Sequence, residues 1–341
     1  VVEEPFFMSR KVTIHDISSE SGTSPSTVSR VLTGSAVVSE DKRKAVEEAI
    51  RKLNYRPSHI ARSLKTQTTQ SIGLLLNDIT NPFYSAVARG AEDEANRHNF
   101  SLILCNTNEE AARELQYLHL LEDKQVDGII LGPTGKNISP VQDLAYRHPV
   151  VQIDRYLDSV EASIVKVDNE AGAYAATRLL IEKGHHRIAV LRWGKQITTM
   201  KERYEGYERA LVEAGLPVDP ALVVDVPALD IAQTMDMVRS VMTRPDRPTA
   251  VFALNNQIGS AAIGVIHQLR LQIPEDVALI VFDDLDYFTL IRPSISAVSQ
   301  PAFEIGVQAV RLLMRQAQAR GSPHPAEQII LPTELVIRES V

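Results

Sequence analysis

The sequence is short of cysteine, and its single Cys105 excludes an intrachain disulfide and any cysteine-based zinc site. A cytoplasmic location is expected, with Cys105 a small apolar side chain buried in a strand. Long apolar runs are missing as well. Ile72-Gly73-Leu74-Leu75-Leu76 is typical of the longest, whereas a membrane helix needs roughly twenty such residues, so no membrane partner is expected. Val1–Ser9 has neither the basic start nor the apolar core of an export signal, and Met8 before Ser9-Arg10-Lys11 reads as a natural start after a seven-residue extension. Gly259-Ser260-Ala261-Ala262-Ile263-Gly264 lacks the first glycine pair of a dinucleotide turn, and no Walker-type loop occurs, so no nucleotide cofactor is implied. His185 and His186 are adjacent and lack the one-face spacing of a helical metal site, so no metal is expected either. Asp283 and Asp284 point to opposite faces of an extended chain and do not flank one glycosidic bond. With no convergent catalytic set, an enzyme is not the expected reading.

What is present fits a soluble globular chain of 341 residues, 44% apolar and 23% charged, long enough for two or three folding units. Its charge is divided unevenly. Arg10–Thr66 carries eleven Lys and Arg against six Asp and Glu, although the whole chain has a net charge of −7. A basic head on an acidic body suits a module that grips phosphates, with a solvated helix face the lesser alternative for Lys42, Arg43, Lys44, Arg51 and Lys52.

The head spells three short helices. Thr13 and Asp16 have capping-box spacing, with Ile14 and Ile17 on the face to be buried. Gly22 turns the chain, Ser24-Pro25 starts a second helix with Val28, Val31 and Leu32 facing inward, and a third follows Ser39. That leaves Pro25, Ser26, Ser29 and Arg30 outward on the second helix of a helix-turn-helix.

The string Val12-Thr13-Ile14-His15-Asp16-Ile17, then Gly22-Thr23-Ser24-Pro25-Ser26-Thr27-Val28-Ser29-Arg30-Val31-Leu32, then Leu53-Asn54-Tyr55-Arg56-Pro57, resembles the DNA-binding head of the lactose-repressor (LacI/GalR) family. The likeness continues from Lys11 to the end of the chain. Ser18, Ser21, Thr23 and Thr33 depart from the usual Ala, Ala, Val and Asn, at an expected cost in packing. The resemblance implies that Pro25, Ser26 and Arg30 face base edges, with Arg30 the candidate for a bidentate contact to guanine. Thr13, Ser24, Thr27, Ser29 and Tyr55 would bond phosphates, while each hydroxyl could equally cap a helix or face solvent. Ser58–Lys65 has helical character but only about two turns, too short to be stable alone. By resemblance it is a hinge helix paired with its twin in the minor groove, Ala61 allowing close approach and Leu64 wedging between base pairs. A plain linker is the alternative.

From Ser71 onward, apolar strands alternate with amphipathic helices: strands at 72–77, 102–106, 128–131, 150–154 and 164–168, then at 187–193, 223–226, 250–254 and 277–282. The expected fold is therefore α/β, with the helix-turn-helix head at 10–57, a hinge and linker at 58–70, and an effector-binding and dimerisation domain at 71–341. The resemblance makes that domain two Rossmann-like subdomains of periplasmic-binding-protein type, about 71–184 with 301–326 and 185–300 with 327–341. Ligands of such sheets sit at the carboxyl ends of the strands. Phe83 and Tyr84 follow the first strand, Asp154-Arg155 ends another, and Asn255 and Asp283 end two in the second half. By position Arg203 and Asp283 match residues that grip ligand hydroxyls, a donor fork and an acceptor carboxylate suited to a carbohydrate; a structural Arg–Asp bridge is the other reading. Trp193 replaces the usual Gly-Pro turn.

The expected function is that of a ligand-responsive transcriptional repressor: a homodimer on near-palindromic double-stranded operator DNA, released by a sugar or sugar derivative that closes the cleft and rotates the first half of each body relative to its twin. A corepressor of opposite sign, a transport-type sugar-binding protein and a sugar-modifying enzyme are the alternatives.

Overall fold

In the computed structural model, which describes residues 12–32, 38–55, 68–194, 196–226, 230–318 and 325–341, the apolar periodicity of the head closes into three helices. They are α1 (Ile14–Ser21), α2 (Pro25–Leu32) and α3 (Glu40–Lys52). The Thr13–Asp16 capping box forms, and Gly22 closes α1 in the left-handed region at φ 63°. Ile17, Val28, Val46, Ala49 and Tyr55 make one small core. The polar departures Ser18, Ser21 and Thr23 find hydrogen-bond partners within the head. Ser21 Oγ lies 2.9 Å from Thr23 Oγ1 and donates to the Ile17 carbonyl at 2.7 Å, while Ser18 Oγ donates to the Thr23 carbonyl. Ala61, Leu64 and the rest of the 58–65 hinge, like Thr33, Arg56 and Pro57, lie outside the described residues.

The chain divides into two compact units at Thr69 and Gln70. In the second, two six-stranded sheets form among the described residues. The first contains β1 (Ser71–Leu76), β2 (Ser101–Asn106), β3 (Gly128–Leu131), β4 (Val150–Ile153), β5 (Ser163–Val167) and β11 (Gln328–Leu331), in the order β11-β5-β4-β3-β1-β2. The second contains β6 (Ile188–Trp193), β7 (Val223–Val226), β8 (Ala250–Ala253), β9 (Ala278–Phe282), β10 (Ser296–Ser299) and β12 (Glu334–Val336), in the order β12-β10-β9-β8-β6-β7. All pairs are parallel except β10 with β12. Nearly continuous apolar runs such as Ala278–Phe282 are buried throughout, as strands covered by helices on both faces must be.

The covering helices are α4 (Pro82–Arg97), α5 (Ala111–Asp123), α6 (Ile138–Arg147), α7 (Asn169–Glu182), α8 (Thr198–Glu213), α9 (Ile231–Met242), α10 (Asn256–Gln268) and α11 (Ala302–Gln318). Two expected crossings between the halves are corrected. Ala173, Ala176 and Leu180 of α7 pack into the core of the second sheet, so the chain leaves the first half at Asp168, not near Gly184. β11 pairs with β5, so the last crossing falls after Leu331, not near Ala326. An amphipathic helix carries the same pattern whichever sheet it covers, and β11 is a four-residue edge strand with weak alternation. The crossing at Gln300 lies where expected, between β10 and α11.

Candidate functional site

Each end of the chain presents one candidate surface. On the head, Ser24 Oγ accepts the Thr27 N–H at 3.2 Å and sits 2.8 Å from Ser26 Oγ and 2.9 Å from Thr27 Oγ1. Ser24 therefore caps α2, and three hydroxyls gather at the positive end of that helix. Pro25, Ser26 and Arg30 are exposed, with Ser26 and Arg30 one turn apart on the same face; Ser29 is half-buried. Thr13 is occupied by its capping box. Tyr55 is only 8% exposed and its ring packs in the head's core, which leaves its hydroxyl as the group to meet a phosphate.

In the body, the six residues expected at the effector site, Phe83, Tyr84, Arg155, Arg203, Asn255 and Asp283, line one cavity of about 440 Å³, a size typical of small-ligand sites. It lies between the halves at the carboxyl ends of the strands. Asn81 caps α4 by accepting the Phe83 N–H at 3.1 Å, and Pro82 opens the helix, so the first turn delivers Phe83 and Tyr84. Phe83 stays half-buried against the cavity. Tyr84 is 4% exposed, and its hydroxyl donates to Asp154 Oδ2 at 3.0 Å. Burial holds that phenol well above its usual range, which keeps it a donor.

Asp154 and Asp283 are equivalents in the two sheets. Each follows its strand, β4 or β9, each has a positive φ, 60° and 79°, and each backbone N–H bonds the next strand, to Val165 and Val298. Burial pushes the Asp154 carboxyl above the usual carboxylate range against the pull of Arg203 and Arg155. Asp283 accepts the Asn256 N–H and the Gln300 amide. Its neighbour Asp284 turns away and pairs with Arg338 at 2.6 and 2.8 Å.

Arg203, 3% exposed, is not bridged to Asp283. Its Nε donates to Asn169 Oδ1 at 2.8 Å, its Nη1 to the Leu254 carbonyl at 2.7 Å, and its plane lies 3.7 Å from the Phe282 ring centre. Burial draws this guanidinium down from its usual range, opposed by Asp283 and Asp154. Arg155 is held by Glu109 through two bonds of 2.7 and 2.8 Å, so less of its fork is left for a ligand. Asn255 spends its carbonyl oxygen capping α10 at Ile258 and keeps its amide for the cavity. Sequence reasoning missed Glu109 and Gln300. Glu109 follows β2, where the strand-end rule would have found it; Gln300 follows β10, whose Ser-Ala-Val-Ser sequence lacks the apolar run that marks the other strands. Gln300 Oε1 is buried without a hydrogen-bond partner, an acceptor suited to a ligand hydroxyl. His185 Nδ1 bonds Thr249 Oγ1 at 3.0 Å, and among the described residues no cluster of His, Cys, Asp and Glu could hold a metal. No helix among them is long and apolar enough to cross a membrane.

Comparison with known proteins matches both surfaces. Residues 13–58 fit the model of the bacterial regulatory proteins of the lacI family, and residues 69–338 fit that of periplasmic binding proteins and the sugar-binding domain of the LacI family. The ribose operon repressor of Halalkalibacterium halodurans is 34% identical over 96% of both chains. A LacI family regulator from Enterococcus faecium, solved with bound ribose, is 28% identical with a TM-score of 0.70, covering 79% of this chain and 98% of its own. The Lac repressor dimer bound to operator, 21% identical and covering 97% and 99%, shares the fold at a TM-score of 0.86. With a head model and a body model that together span nearly its whole length, the chain belongs to the LacI family of bacterial regulatory proteins.

Proposed function

We propose that this chain is a transcriptional repressor that binds a near-palindromic operator as a homodimer and is released by a small carbohydrate, with a pentose such as ribose the first candidate. The observation that carries this reading is one chain joining an exposed Ser26–Arg30 helix face to a cavity lined by carboxylates, guanidinium groups and aromatic rings. Carboxylates and guanidinium groups suit vicinal hydroxyls, which both donate and accept, and Phe83 offers an apolar face for a sugar ring. On the DNA side, Arg30 reads a guanine edge, Pro25 and Ser26 contribute shape and methyl contact, and Thr13, Ser24, Thr27 and Ser29 fix register on phosphates. Ala61 and Leu64 carry the minor-groove wedge that bends the operator. The site acts by binding alone, and no catalytic role is assigned to it.

The test starts from the purified dimer and a library of inverted repeats with random half-sites. Enrichment of one repeat, lost in Arg30→Ala and weakened with less bending in Leu64→Ala, supports the assignment. No preference over random DNA, with and without sugars, rejects it. Release of the selected operator by D-ribose or another sugar fixes the sign as induction; tighter binding makes the ligand a corepressor.

A further inference from the structure

Beside the cavity, buried polar side chains from both halves converge on Glu202 of α8. Its Oε1 takes the Lys166 ammonium in an ion pair and the Tyr156 hydroxyl at 2.6 Å; its Oε2 accepts the Asn169 amide at 2.8 Å. Lys166 lies on β5 and Tyr156 follows β4, both in the first half, whereas Glu202 and Asn169 belong to helices of the second. The pair therefore bridges the cleft. Lys166 is 9% exposed, and its Nζ also lies 4.5 Å from the Tyr156 ring centre. The Tyr156 N–H reaches Thr198 Oγ1, again across the cleft, at 3.3 Å.

Desolvating both charges costs much of what their attraction returns, so such a pair is a poor source of net stability. It serves better to specify one arrangement of the two bodies, because either charge left buried alone is strongly unfavourable. A second link connects this cluster to the cavity. Asn169, 1% exposed, gives its amide to Glu202 and takes Arg203 Nε on its oxygen at 2.8 Å. Cavity cation, amide, carboxylate and ammonium thus form one chain of hydrogen bonds from the ligand wall to the opposite half. Other contacts cross elsewhere, Asn256 to Asn81 at 2.8 Å and Gln257 to Asp78 at 3.3 Å, but only the Lys166–Glu202 contact among these carries opposite charges on the two halves.

We propose that Lys166 and Glu202, with Tyr156 and Asn169, form a clasp that holds the cleft closed, and that Glu202 is a positioning residue that fixes Arg203 toward the cavity. The second clause rests on the cavity being the effector site; the clasp does not. Trp193, the only tryptophan, reports on it directly. It lines the cavity, half-buried, with Arg155 of the first half 5.3 Å from its ring centre, and it is not among the clasp's contacts.

The experiment reads tryptophan emission and acrylamide quenching of the full-length protein without ligand. Lys166→Glu and Glu202→Lys are each expected to shift emission to the red and raise the quenching constant about twofold, while the double exchange restores both readings toward wild type. Wild-type readings in both single variants, or a double variant no closer to wild type than the singles, overturn the clasp. If a reversed charge prevents folding by far-ultraviolet circular dichroism, Lys166→Met and Glu202→Gln are judged by the same two readings, and unchanged values overturn it equally. The positioning role is read in the same samples with phenylglyoxal, an arginine reagent. Mass-spectrometric modification of Arg203 should rise severalfold in Glu202→Lys and stay raised in the double variant, because an ammonium at that position cannot accept the Asn169 amide; modification unchanged in Glu202→Lys, or returned to wild type in the double variant, removes that role. Because neither reading uses a sugar, failure to find an effector leaves the outcome interpretable.

Discussion

Asp154 shows how one residue trades stability for a binding surface. Its carboxyl is held above the ordinary value of 3.8, chiefly by burial. For a group raised in the fold, ionisation penalises the folded state. That penalty is absent while the unfolded chain also keeps the proton, and it grows as pH rises through the ordinary value toward the raised one. Asp154→Asn keeps an acceptor for the Tyr84 hydroxyl and removes the penalty. Calorimetry should find its Tm about 2 °C above wild type near pH 7 and level with it in acid; a lower Tm near neutrality would mean that Arg155 and Arg203 more than repay the burial. Strand-end reasoning reached most of this wall because such sheets turn their carboxyl ends toward the ligand, and Arg203 came from family position alone. The clasp was beyond it. Tyr156 and Lys166 meet Glu202 across 46 and 36 positions, and nothing local marks either partner.

Between elements, the tightest approach is that of α4 and α11. A Cβ at Gly90 would overlap the Phe303 carbonyl oxygen, and one at Gly306 would overlap the Val87 carbonyl oxygen, so the helices meet backbone to backbone. Alanine would gain about 1 kcal/mol of helix propensity, but overpacking costs typically 1–3 kcal/mol and sometimes more. Here the obstacle is backbone, which has no rotamer to yield. Gly306→Ala is therefore expected to lose about 2 kcal/mol in urea unfolding, and a neutral result would show that the pair can slide apart. The same helices are joined by Glu94, which accepts Arg311 Nε at 2.8 Å and Arg97 Nη1 at 2.6 Å. The Arg311 hydrogen bond leads in lowering its carboxyl from 4.5 to about 2. A depressed carboxylate contributes its stability above the ordinary value and loses it as pH falls toward the lowered one. Glu94→Gln should be less stable near neutrality and show a flatter acid limb between about pH 4.5 and 2, the wild type alone steepening there. Parallel strands and amphipathic helices were legible as elements because buried runs and 3.6-residue periodicity are local signals. Their assignment to a half was not, since the amphipathic pattern of α7 does not name the sheet it covers and β11 is placed by β5, far away in sequence.

At the scale of the whole molecule, the proposed repressor has two ligands, and linkage binds their affinities. If a sugar weakens operator binding by some factor, the operator must weaken sugar binding by the same factor, whatever structural route connects them. A tenfold effect corresponds to a coupling of about 1.4 kcal/mol, which requires the sugar to distinguish two states of the body by that amount. Arg203 is placed to carry much of that distinction, because its guanidinium lines the cavity while its bonds to Asn169 and Leu254 tie it to the second half. Arg203→Ala should therefore abolish release by the sugar while leaving operator affinity in its absence within about twofold of wild type. Titrating operator into wild-type protein with and without sugar, and sugar into it with and without operator, then repeating the operator titrations with the variant, checks the two halves of the statement together. Unequal factors in the wild type would mean that sugar and operator do not act through one linked equilibrium. A fully responsive variant would remove Arg203 from the effector's grip.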